Sequence, residues 1–410
     1  MKDYLIGEKL GHSYSVAIHN AFGGGEYALK EIPRGELSAF FAAREFRGLN
    51  VTIPYKREAM ALVEEISPLA RRIGAINTVV NRGGVLFGDN TDYFGFSRLA
   101  ADTGVDFKGK HVLILGTGGT SGTTEAVCLD AGAKSVCKVS RSGALDYGNV
   151  YERTETEIVV NTTPVGMYPS GGGRPVDLSR FPNLSGALDV IYNPLRTDFV
   201  LQAQSLGVPA AGGLKMLVAQ AARARELFDG KKISAKTLSR VAAETEKRYE
   251  NVVLIGMPGS GKSAVGKAVA AALGRPFYDC DEELVRAAGR SVEEIFARGG
   301  EEEFRAVERE VIADLAKKSG AVIATGGGAV KDSNNVSALR RNGRIYYLRR
   351  PTNLLALKGR PLSKNRETVE KLYEERRALY ESAADCVIEN DKDLQSAVFA
   401  ALQAFAREGV

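Results

Sequence analysis

The stretch NVVLIGMPGSGKSAVGKAVAAALG, residues 251–274, decides the fold of the second half of this chain. Its apolar residues Val252 to Ile255 predict a buried parallel strand, and the small-residue run after Ser263 predicts a helix. Between them stands G-x-x-x-x-G-K-S, from Gly256 to Ser263, in the strand–loop–helix context of a phosphate-binding P-loop. A Gly-rich turn without a ligand is the alternative interpretation. The complete pattern favours binding of a nucleoside triphosphate.

Each residue type of this loop has a separate predicted task. Successive backbone N–H groups would point at phosphate oxygens, and the dipole of the following helix would add to their attraction. Lys262 would contact the β- and γ-phosphates, and the hydroxyl of Ser263 would hold Mg²⁺. The backbone groups predicted to face the phosphates are those of Gly256, Gly259, Ser260 and Gly261.

The composition restricts the classes of protein to which the chain can belong. Its 410 residues are too many for one ordinary domain, and 44% hydrophobic residues suffice for buried cores. No run approaches the roughly 18 apolar residues of a membrane span, and the N-terminal segment lacks the pattern of a signal peptide. The net charge of +5 comes without a Lys/Arg run interleaved with aromatic residues. We therefore expect small-molecule substrates, no nucleic-acid partner and no membrane partner, and leave the oligomeric state open.

The cysteines indicate a reducing compartment. They are scattered without C-x-x-C spacing, so neither a metal site nor disulfides are expected. Buried thiols in the cytosol are the default interpretation, and we predict a cytoplasmic protein. The residues are Cys128, Cys137, Cys280 and Cys386.

Two serines follow the first predicted strand of the chain. The strand YLIGEKL leads into GHSYSVAIHN, where Ser13 and Ser15 precede a predicted helix. Ser13 would cap that helix, which is a common role for serine. Two hydroxyls at positions i and i+2 can also grip a carboxylate together. From these residues alone, capping is the favoured interpretation.

Polar side chains follow three apolar stretches further along the first half. Lys56 follows GLNVTIPY, Asn77 stands in GAINTVV, and Asp92 stands in GDNTDYFGF. Ligands of open α/β sheets bind at the carboxyl ends of the strands, where these residues would collect. A Lys–Asp pair in such a cluster would suit proton transfer. The alternative for each residue is a solvated surface position.

A dinucleotide-binding pattern begins at Lys110 with KHVLILGTGGTSGTTEAVCLDAGA. A predicted strand, Val112 to Leu115, feeds the glycine-rich turn G-x-G-G-x-x-G, which opens a helix. The residues predicted to meet the cofactor there are Gly116, Gly118, Gly119, Thr120 and Ser121.

The next predicted strand, SVCKVSRS, bears on the choice of cofactor. An acidic residue at its end would bind the ribose of NAD, whereas Arg141 stands here between Ser140 and Ser142. This arrangement favours the 2′-phosphate of NADP, and a surface arginine is the alternative. The chain between Arg141 and Ile158 is short for a strand-flanking helix, which predicts a trimmed Rossmann sheet.

Four further features follow the P-loop. Asp279 and Asp281 stand at i, i+2 in FYDCDEELV, which would place both on one face of an extended segment. The predicted helix GGEEEFRAVEREVIADLA, residues 299–316, carries Arg305, for which ordinary surface pairing is the alternative. A strand ends in three glycines at 326–328, which indicates close backbone approach. The basic, turn-rich stretch LKGRPLSKNRET, residues 357–368, is typical of a mobile lid.

The first half of the chain, residues 1 to about 247, resembles shikimate dehydrogenase. The resemblance rests on HSYS at 12–15, NVTIPYK at 50–56, GAINT at 74–78, GDNTD at 88–92, GTGGTS at 116–121, NTTPVGM at 161–167, DVIYNP at 189–194 and GLKMLVAQ at 213–220. This family implies an α/β substrate-binding domain formed by residues 1–95 and 213–247, and a Rossmann-type NADP domain formed by residues 96–212.

The second half, residues 248–410, resembles shikimate kinase. The resemblance rests on GMPGSGKS, FYDCDEEL, the FR of EEEFR, the three glycines at 326–328, GRPL at 359–362 and ERRALYESA at 375–383. The whole chain is therefore similar to a fusion of two consecutive enzymes of aromatic biosynthesis. The resemblance implies a P-loop α/β kinase domain that uses ATP and Mg²⁺.

The dehydrogenase resemblance implies a role for each polar residue of the first half. Lys56 would furnish a proton and Asp92 would orient it, while NADPH delivers hydride to the ketone of 3-dehydroshikimate. Ser13 and Ser15 would hold the substrate carboxylate, which reverses the preference for capping. The residues implied to bind substrate hydroxyls are Thr52, Asn77, Tyr192 and Gln220.

The kinase resemblance implies that Asp281 contacts the ring hydroxyls of shikimate and accepts a proton, and that Asp279 assists Ser263 with Mg²⁺. Planar guanidinium groups suit carboxylates, and the arginines implied to clamp the substrate are Arg305 and Arg376. Gly327 and Gly328 would bring N–H groups to the substrate. Lys262 and, on the lid, Arg360 would act on the transferring phosphoryl group. Two alternatives stay open, an NAD-dependent quinate-type dehydrogenase and a kinase-like half that only senses shikimate or ATP.

Overall fold

The described residues form three mostly parallel sheets that are flanked by helices. The structure is a computed structural model that describes residues 1–11, 13–356 and 366–407. It divides into two units, Met1–Thr245 and Glu246–Val410. The predicted α/β class is confirmed, because both units combine mostly parallel strands with helices.

The first sheet of the first unit has the strand order β2-β1-β3-β5-β6-β4. β5 runs antiparallel to β3 and β6, and the other neighbours are parallel. Its strands are β1 (Asp3–Gly7), β2 (Tyr27–Glu31), β3 (Gly48–Val51), β4 (Glu65–Ile66), β5 (Thr78–Arg82) and β6 (Val85–Asp89). The helices that begin in this unit are α1 (Ser15–Phe22), α2 (Leu37–Ala43), α3 (Pro68–Ile73), α4 (Asp92–Thr103), α5 (Gly119–Asp130), α6 (Asp198–Ser205), α7 (Leu214–Asp229) and α8 (Ala235–Tyr249).

The second sheet of this unit is entirely parallel, in the order β11-β10-β9-β7-β8. Its strands are β7 (His111–Leu115), β8 (Ser135–Val139), β9 (Ile158–Asn161), β10 (Gly186–Asp189) and β11 (Ala210–Ala211). β9 and β10 are buried along their whole lengths, as expected for strands covered on both faces. In the fully described connection between β8 and β9, the only helical element is the 3₁₀ turn Val150–Glu152. The predicted trimming of the Rossmann sheet is therefore confirmed.

α7 returns to the first sheet and is held there by buried charges. The guanidinium of Arg225 on α7 donates to Oδ2 of Asp3 at 2.8 Å, and their side chains are 2% and 0% exposed. Arg47 bridges the same Asp3 to Asp229 on α7. Removing one partner from such a buried ionic cluster is costly, because an uncompensated charge would remain. The cluster therefore fixes α7, on which Gln220 lies, relative to β1.

The second unit has one parallel sheet in the order β13-β14-β12-β15-β16. The predicted P-loop strand is confirmed as β12, which is buried at every residue. The strands are β12 (Asn251–Ile255), β13 (Phe277–Asp279), β14 (Val322–Ala324), β15 (Gly343–Arg349) and β16 (Cys386–Glu389). The helices that follow α8 are α9 (Lys262–Leu273), α10 (Cys280–Ala288), α11 (Val292–Ala316), α12 (Ser333–Asn342), α13 (Arg366–Ala383) and α14 (Leu394–Arg407).

Two local predictions differ from the structure of this unit. The helix predicted for residues 299–316 begins earlier, at Val292, and bends at Gly300, whose φ is 68°. Asp281 does not continue an extended segment, because α10 begins at Cys280 and Asp279 caps it. No helix among the described residues is long and apolar enough to cross a membrane.

Candidate functional site

A lysine–aspartate pair lies at the carboxyl ends of the strands of the first sheet. Nζ of Lys56, in the segment after β3, lies 2.6 Å from Oδ2 of Asp92, the first residue of α4. Their side chains are 16% and 9% exposed, so the ion pair is shielded yet reachable. A Cβ atom placed on Gly119 would lie 4.0 Å from Cδ of Lys56. The pair therefore faces the glycine-rich turn of the second sheet.

Asn77 and Gln220 meet next to this pair through Thr91. Oδ1 of Asn77 accepts hydrogen bonds from the N–H of Thr91 at 2.6 Å and from its hydroxyl at 3.2 Å. The Thr91 hydroxyl also lies 3.4 Å from Oε1 of Gln220. Because Thr91 directly precedes Asp92, the structure brings these predicted residues to one place. Sequence reasoning missed Thr91, although it stands inside the quoted GDNTD segment.

The two serines lie at the start of α1. Oγ of Ser13 accepts a hydrogen bond from the N–H of Ser15 at 3.2 Å, while Tyr14 occupies the N-cap position. The ring of Tyr14 lies 5.1 Å from the ring of Tyr192, which follows β10. Thr52 follows β3 and donates its N–H to the carbonyl of Ile6 at 2.9 Å. Tyr14, which stands between the two serines in the sequence, thus contacts Tyr192.

The glycine-rich turn has the shape that a dinucleotide requires. Gly116 has φ 103°, and a Cβ atom on it would lie 3.0 Å from Thr163 and 3.1 Å from the Thr162 hydroxyl. α5 begins at Gly119 without a capping side chain, so its first N–H groups can bind an anion. The residues present therefore fit a pyrophosphate at this turn.

Ser121 differs from the preceding residues of this turn because its side chain is buried. Ser121 is buried, and its hydroxyl donates to the carbonyl of Gly118 at 2.7 Å. Its side chain thus shapes the turn, while Gly118, Gly119 and the half-buried Thr120 form the start of the helix.

The strand that precedes Arg141 ends close to the predicted position. β8 ends at Val139, and the N–H of Ser140 donates to the carbonyl of Leu145 at 3.1 Å. Arg141 and Ser142 are exposed in the turn that follows. A cation and two hydroxyls are therefore available at this position, and no carboxylate stands among these three residues.

The P-loop of the second unit curls around its own lysine. Its glycines have positive φ angles of 148°, 87° and 94° at Gly256, Gly259 and Gly261. Nζ of Lys262 is buried and donates to the carbonyls of Gly256 at 2.8 Å and Met257 at 3.0 Å. The buried Ser260 completes the loop. The ammonium therefore lies within the concave side of the loop, where phosphate would bind.

A hydroxyl–carboxylate pair lies beside the P-loop. Oγ of Ser263 donates to Oδ2 of Asp279 at 2.5 Å, and Oδ1 of Asp279 accepts the N–H of Asp281 at 3.0 Å. No group of three or more His, Cys, Asp and Glu side chains suited to a metal occurs among the described residues. Mg²⁺ here would therefore take oxygens from this pair and from the nucleotide phosphates.

Each of the three glycines after β14 lies so close to a different neighbouring residue that a Cβ atom would not fit. A Cβ atom on Gly326 would lie 2.9 Å from Oδ1 of Asp281, and one on Gly327 would lie 2.6 Å from Pro258 of the P-loop. A Cβ atom on Gly328 would lie 2.3 Å from Nη2 of Arg305. The predicted close approach of backbone is therefore confirmed.

Arg376 completes this cluster from α13. It is 5% exposed, and its Nη1 donates to the carbonyl of Gly327 at 3.1 Å. Its buried Nε has no hydrogen-bond partner in the described part of the chain. The hydroxyl of Tyr380 donates to the same carbonyl, and burial raises the pKa of that phenol to about 12. Arg376 and Arg305 thus both lie against the three-glycine segment. Arg360 lies outside the described residues.

Comparisons with known proteins match both halves. Residues 5–79 match the family model of the shikimate dehydrogenase substrate binding domain, and residues 258–407 match that of shikimate kinase. A shikimate dehydrogenase (NADP(+)) of Clostridium perfringens is 35% identical over 266 residues, which cover 60% of this chain and 98% of that protein. The chain belongs to the shikimate dehydrogenase family. Its second unit carries a shikimate kinase domain in addition.

Two solved structures resemble the shikimate dehydrogenase part. The enzyme of Thermus thermophilus in complex with NADP(H) and shikimate is 31% identical, with a TM-score of 0.52, covering 60% of this chain and 100% of that one. The quinate dehydrogenase of Corynebacterium glutamicum in complex with NAD is 28% identical, with a TM-score of 0.54, covering 60% and 98%. Both support the fold of the first unit.

Glu308 of the shikimate kinase domain is a site residue that sequence reasoning missed. It is 2% exposed, and its Oε2 accepts from Nη1 of Arg305 at 2.6 Å. Its Oε1 lies 3.0 Å from the position of a Cβ on Gly326, beside Oδ1 of Asp281. Burial raises its pKa, and the Arg305 guanidinium opposes that rise. The available signal was its i+3 spacing from Arg305, which also occurs in ordinary surface pairs.

Proposed function

We propose that this chain reduces 3-dehydroshikimate to shikimate with NADPH and then phosphorylates shikimate at its 3-hydroxyl with ATP. The observation that carries the first reaction is the shielded Lys56–Asp92 pair opposite Gly119, on a chain of the shikimate dehydrogenase family. The P-loop and the Arg305–Arg376 surface support the second reaction. We place both in aromatic amino acid biosynthesis.

In the dehydrogenase reaction, NADPH supplies the hydride that converts the ketone into an alcohol. Lys56 would donate a proton to the former ketone oxygen, and Asp92 would hold the ammonium in place and help to restore its proton. Ser13 and Ser15 would bind the substrate carboxylate. The hydroxyls would meet Thr52, Asn77, Tyr192 and Gln220. Such matched polar groups discriminate strongly against an analogue that lacks a hydroxyl.

In the kinase reaction, ATP supplies the transferred phosphoryl group. Asp281 would accept the proton of the 3-hydroxyl, and Arg305 and Arg376 would clamp the carboxylate of shikimate. Gly327 and Gly328 would present N–H groups to the substrate. Lys262 and Arg360 would neutralise charge on the phosphates, while Ser263 and Asp279 would hold Mg²⁺. Positioning and charge neutralisation are the main requirements of phosphoryl transfer.

We also propose the division of the chain into domains. Residues 1–95 and 213–247 would bind the substrate, since α7 packs on α1 and is tied to β1. Residues 96–212 would bind NADP, and residues 248–410 would form the kinase. The four cysteines are scattered without C-x-x-C spacing, which favours a cytoplasmic location.

Two assays on the full chain test this function separately. NADPH oxidation is followed with 3-dehydroshikimate as substrate, and ADP formation is followed with shikimate and Mg-ATP. Both reactions are expected, and each should stop when its own substrate is omitted. Tight binding of shikimate without ADP formation would favour a sensing role for the second unit. Oxidation of quinate with NAD, faster than that of shikimate with NADP, would favour the quinate-type alternative.

A further inference from the structure

A buried carboxylate lies at the carboxyl end of the second sheet of the first unit. Asp189 is the last residue of β10 and is 0% exposed. Its Oδ2 accepts the hydroxyl of Thr197 at 2.6 Å. Its Oδ1 accepts Nδ2 of Asn161 at 3.1 Å and the N–H of Ile191 at 3.0 Å. These three donors are uncharged, and burial raises the pKa of Asp189 to about 6.

Through Asn161, this carboxylate fixes the segment that packs on the dinucleotide turn. Oδ1 of Asn161 accepts the N–H and the hydroxyl of Thr163 at 3.0 and 2.7 Å. The hydroxyl of Thr162 donates to the carbonyl of Leu115 at 2.7 Å. Both threonines fill the space against Gly116 that a Cβ atom would need. A displacement of Asn161 would therefore move one wall of the dinucleotide turn.

Through Ile191 and Thr197, the same carboxylate fixes both ends of the segment that carries Tyr192. The N–H of Ile191 binds Asp189 directly on one side of Tyr192. Thr197, on the other side, binds Asp189 and also caps α6. The ring of Tyr192 lies 5.1 Å from that of Tyr14, between the two serines proposed to hold the substrate carboxylate. Asp189 thus connects the cofactor side of the site to its substrate side.

We propose that Asp189 is a positioning residue that couples the dinucleotide turn to the Tyr192 segment during the dehydrogenase reaction. This inference rests on the proposed function of the first unit. Hydride transfer needs both reactants in one geometry, and a misplacement of about 1 Å can cost on the order of 100-fold in rate. Loss of the carboxylate should therefore weaken the binding of both reactants and slow their reaction.

The test compares Asp189→Asn with wild type in the full chain. Asn has nearly the same volume but carries an NH₂ group in place of Oδ2, so the hydroxyl of Thr197 can no longer donate to this position. We expect kcat of NADPH oxidation to fall about tenfold or more, with KM raised for both NADPH and 3-dehydroshikimate. ADP formation with shikimate should stay unchanged. The matched control is Asp177→Asn, because Asp177 also accepts several hydrogen bonds in this unit, but from Ser179 and Gln202, which have no proposed role in the reaction.

The possible outcomes separate this inference from the proposed function. A wild-type enzyme that fails to oxidise NADPH with 3-dehydroshikimate would overturn both. An active wild type and a folded Asp189→Asn variant with unchanged kinetic constants would overturn the inference alone, and so would a rise in only one KM.

A milder pair of variants covers the case in which Asp189→Asn does not fold. Thr197→Val removes one donor to the carboxylate, while Thr197→Ser keeps the hydroxyl. If Asp189 positions both segments, kcat falls and both KM values rise in Thr197→Val. All three constants return toward the wild-type values in Thr197→Ser. Equal kinetic constants in the two variants would overturn the inference.

Discussion

Nζ of Lys56 lies 2.6 Å from Oδ2 of Asp92, and these residues come from different strand ends of the first sheet. The ion pair is shielded from solvent and faces Gly119 of the dinucleotide turn. A proton donor in this position would protonate the ketone oxygen of the substrate, which becomes negatively charged when hydride adds to the carbonyl carbon.

Replacing Lys56 with Met should abolish most dehydrogenase activity. A positioned proton donor contributes about 10² to 10⁴ in rate, so kcat should fall by that factor while KM for 3-dehydroshikimate changes little. Steady-state NADPH oxidation measures both constants. The control is Lys2→Met, which breaks the exposed Lys2–Glu26 pair and should leave kcat unchanged. An active Lys56→Met enzyme would show that Lys56 is not the proton donor.

Arg141→Asp should change the choice of dinucleotide. The new carboxylate would repel the 2′-phosphate of NADPH and accept the ribose hydroxyls of NADH. Losing one charge-assisted contact costs about 1.5–3 kcal/mol, so Kd for NADPH should rise about 10-fold to 100-fold. Fluorescence titration with both dinucleotides measures this. Arg153→Asp, another exposed arginine of the unit, is the control. If the ratio of the two Kd values, for NADPH and for NADH, stays unchanged, Arg141 is only a surface residue.

Glu308→Gln should weaken shikimate binding in the second unit. The carboxylate of Glu308 accepts a hydrogen bond from Nη1 of Arg305. Without its negative charge, the guanidinium would be held less firmly in its present orientation. We expect KM for shikimate to rise about tenfold with KM for ATP unchanged. Glu301→Gln is the matched control, because Glu301 contacts the same arginine at 3.2 Å but is 50% exposed. Equal effects of the two substitutions would contradict a special role for Glu308.

His19 should make the first unit sensitive to acid. Its imidazole is 1% exposed and stacks on Tyr27 at 3.7 Å, and burial, assisted by the Arg225 guanidinium, lowers its pKa to about 3. The unfolded chain therefore binds a proton below pH 6.5 that the folded unit resists. Its stabilising contribution is complete above pH 6.5 and is lost as pH falls toward 3, at about 1.4 kcal/mol per pH unit.

Calorimetry between pH 4 and 8 checks this dependence, with the transition of the first unit identified by its shift with NADPH. His19→Phe, which keeps a stacking ring, should flatten the dependence over that window. His111→Asn should not, because His111 is only half-buried on β7. A slope in the His19→Phe variant equal to that of wild type would contradict the assignment.

Local patterns predicted the parts of the molecule that depend on local sequence. The strand β12 and the P-loop follow from adjacent residues, since Gly256 to Ser263 need no partner to reveal their shape. Lys56 and Asp92 could be placed together because each follows a strand, and strands that run in the same direction, as β3 and β6 do, end at the same edge of a sheet. The absence of a long helix between β8 and β9 could likewise be predicted, because few residues lie between Arg141 and Ile158.

Residues whose role depends on packing could not be predicted in this way. Glu308 has the spacing of a surface partner of Arg305, and only the approach of Gly326 and Asp281 shows that it is buried in a site. The i, i+2 spacing of Asp279 and Asp281 predicts an extended segment, whereas α10 begins at Cys280 because Asp279 caps it. Thr91 and Asp189 act through hydrogen bonds to distant segments, which no local pattern encodes.

The most direct test follows one molecule through both reactions. The full chain is incubated with 3-dehydroshikimate, ATP, Mg²⁺ and NADPH that carries deuterium at both C4 positions, and the product is identified by mass. Shikimate 3-phosphate containing one deuterium is expected, with NADPH and ATP consumed in equal amounts. Deuterated shikimate that is never phosphorylated, or no deuterated product at all, would contradict the account of a bifunctional enzyme.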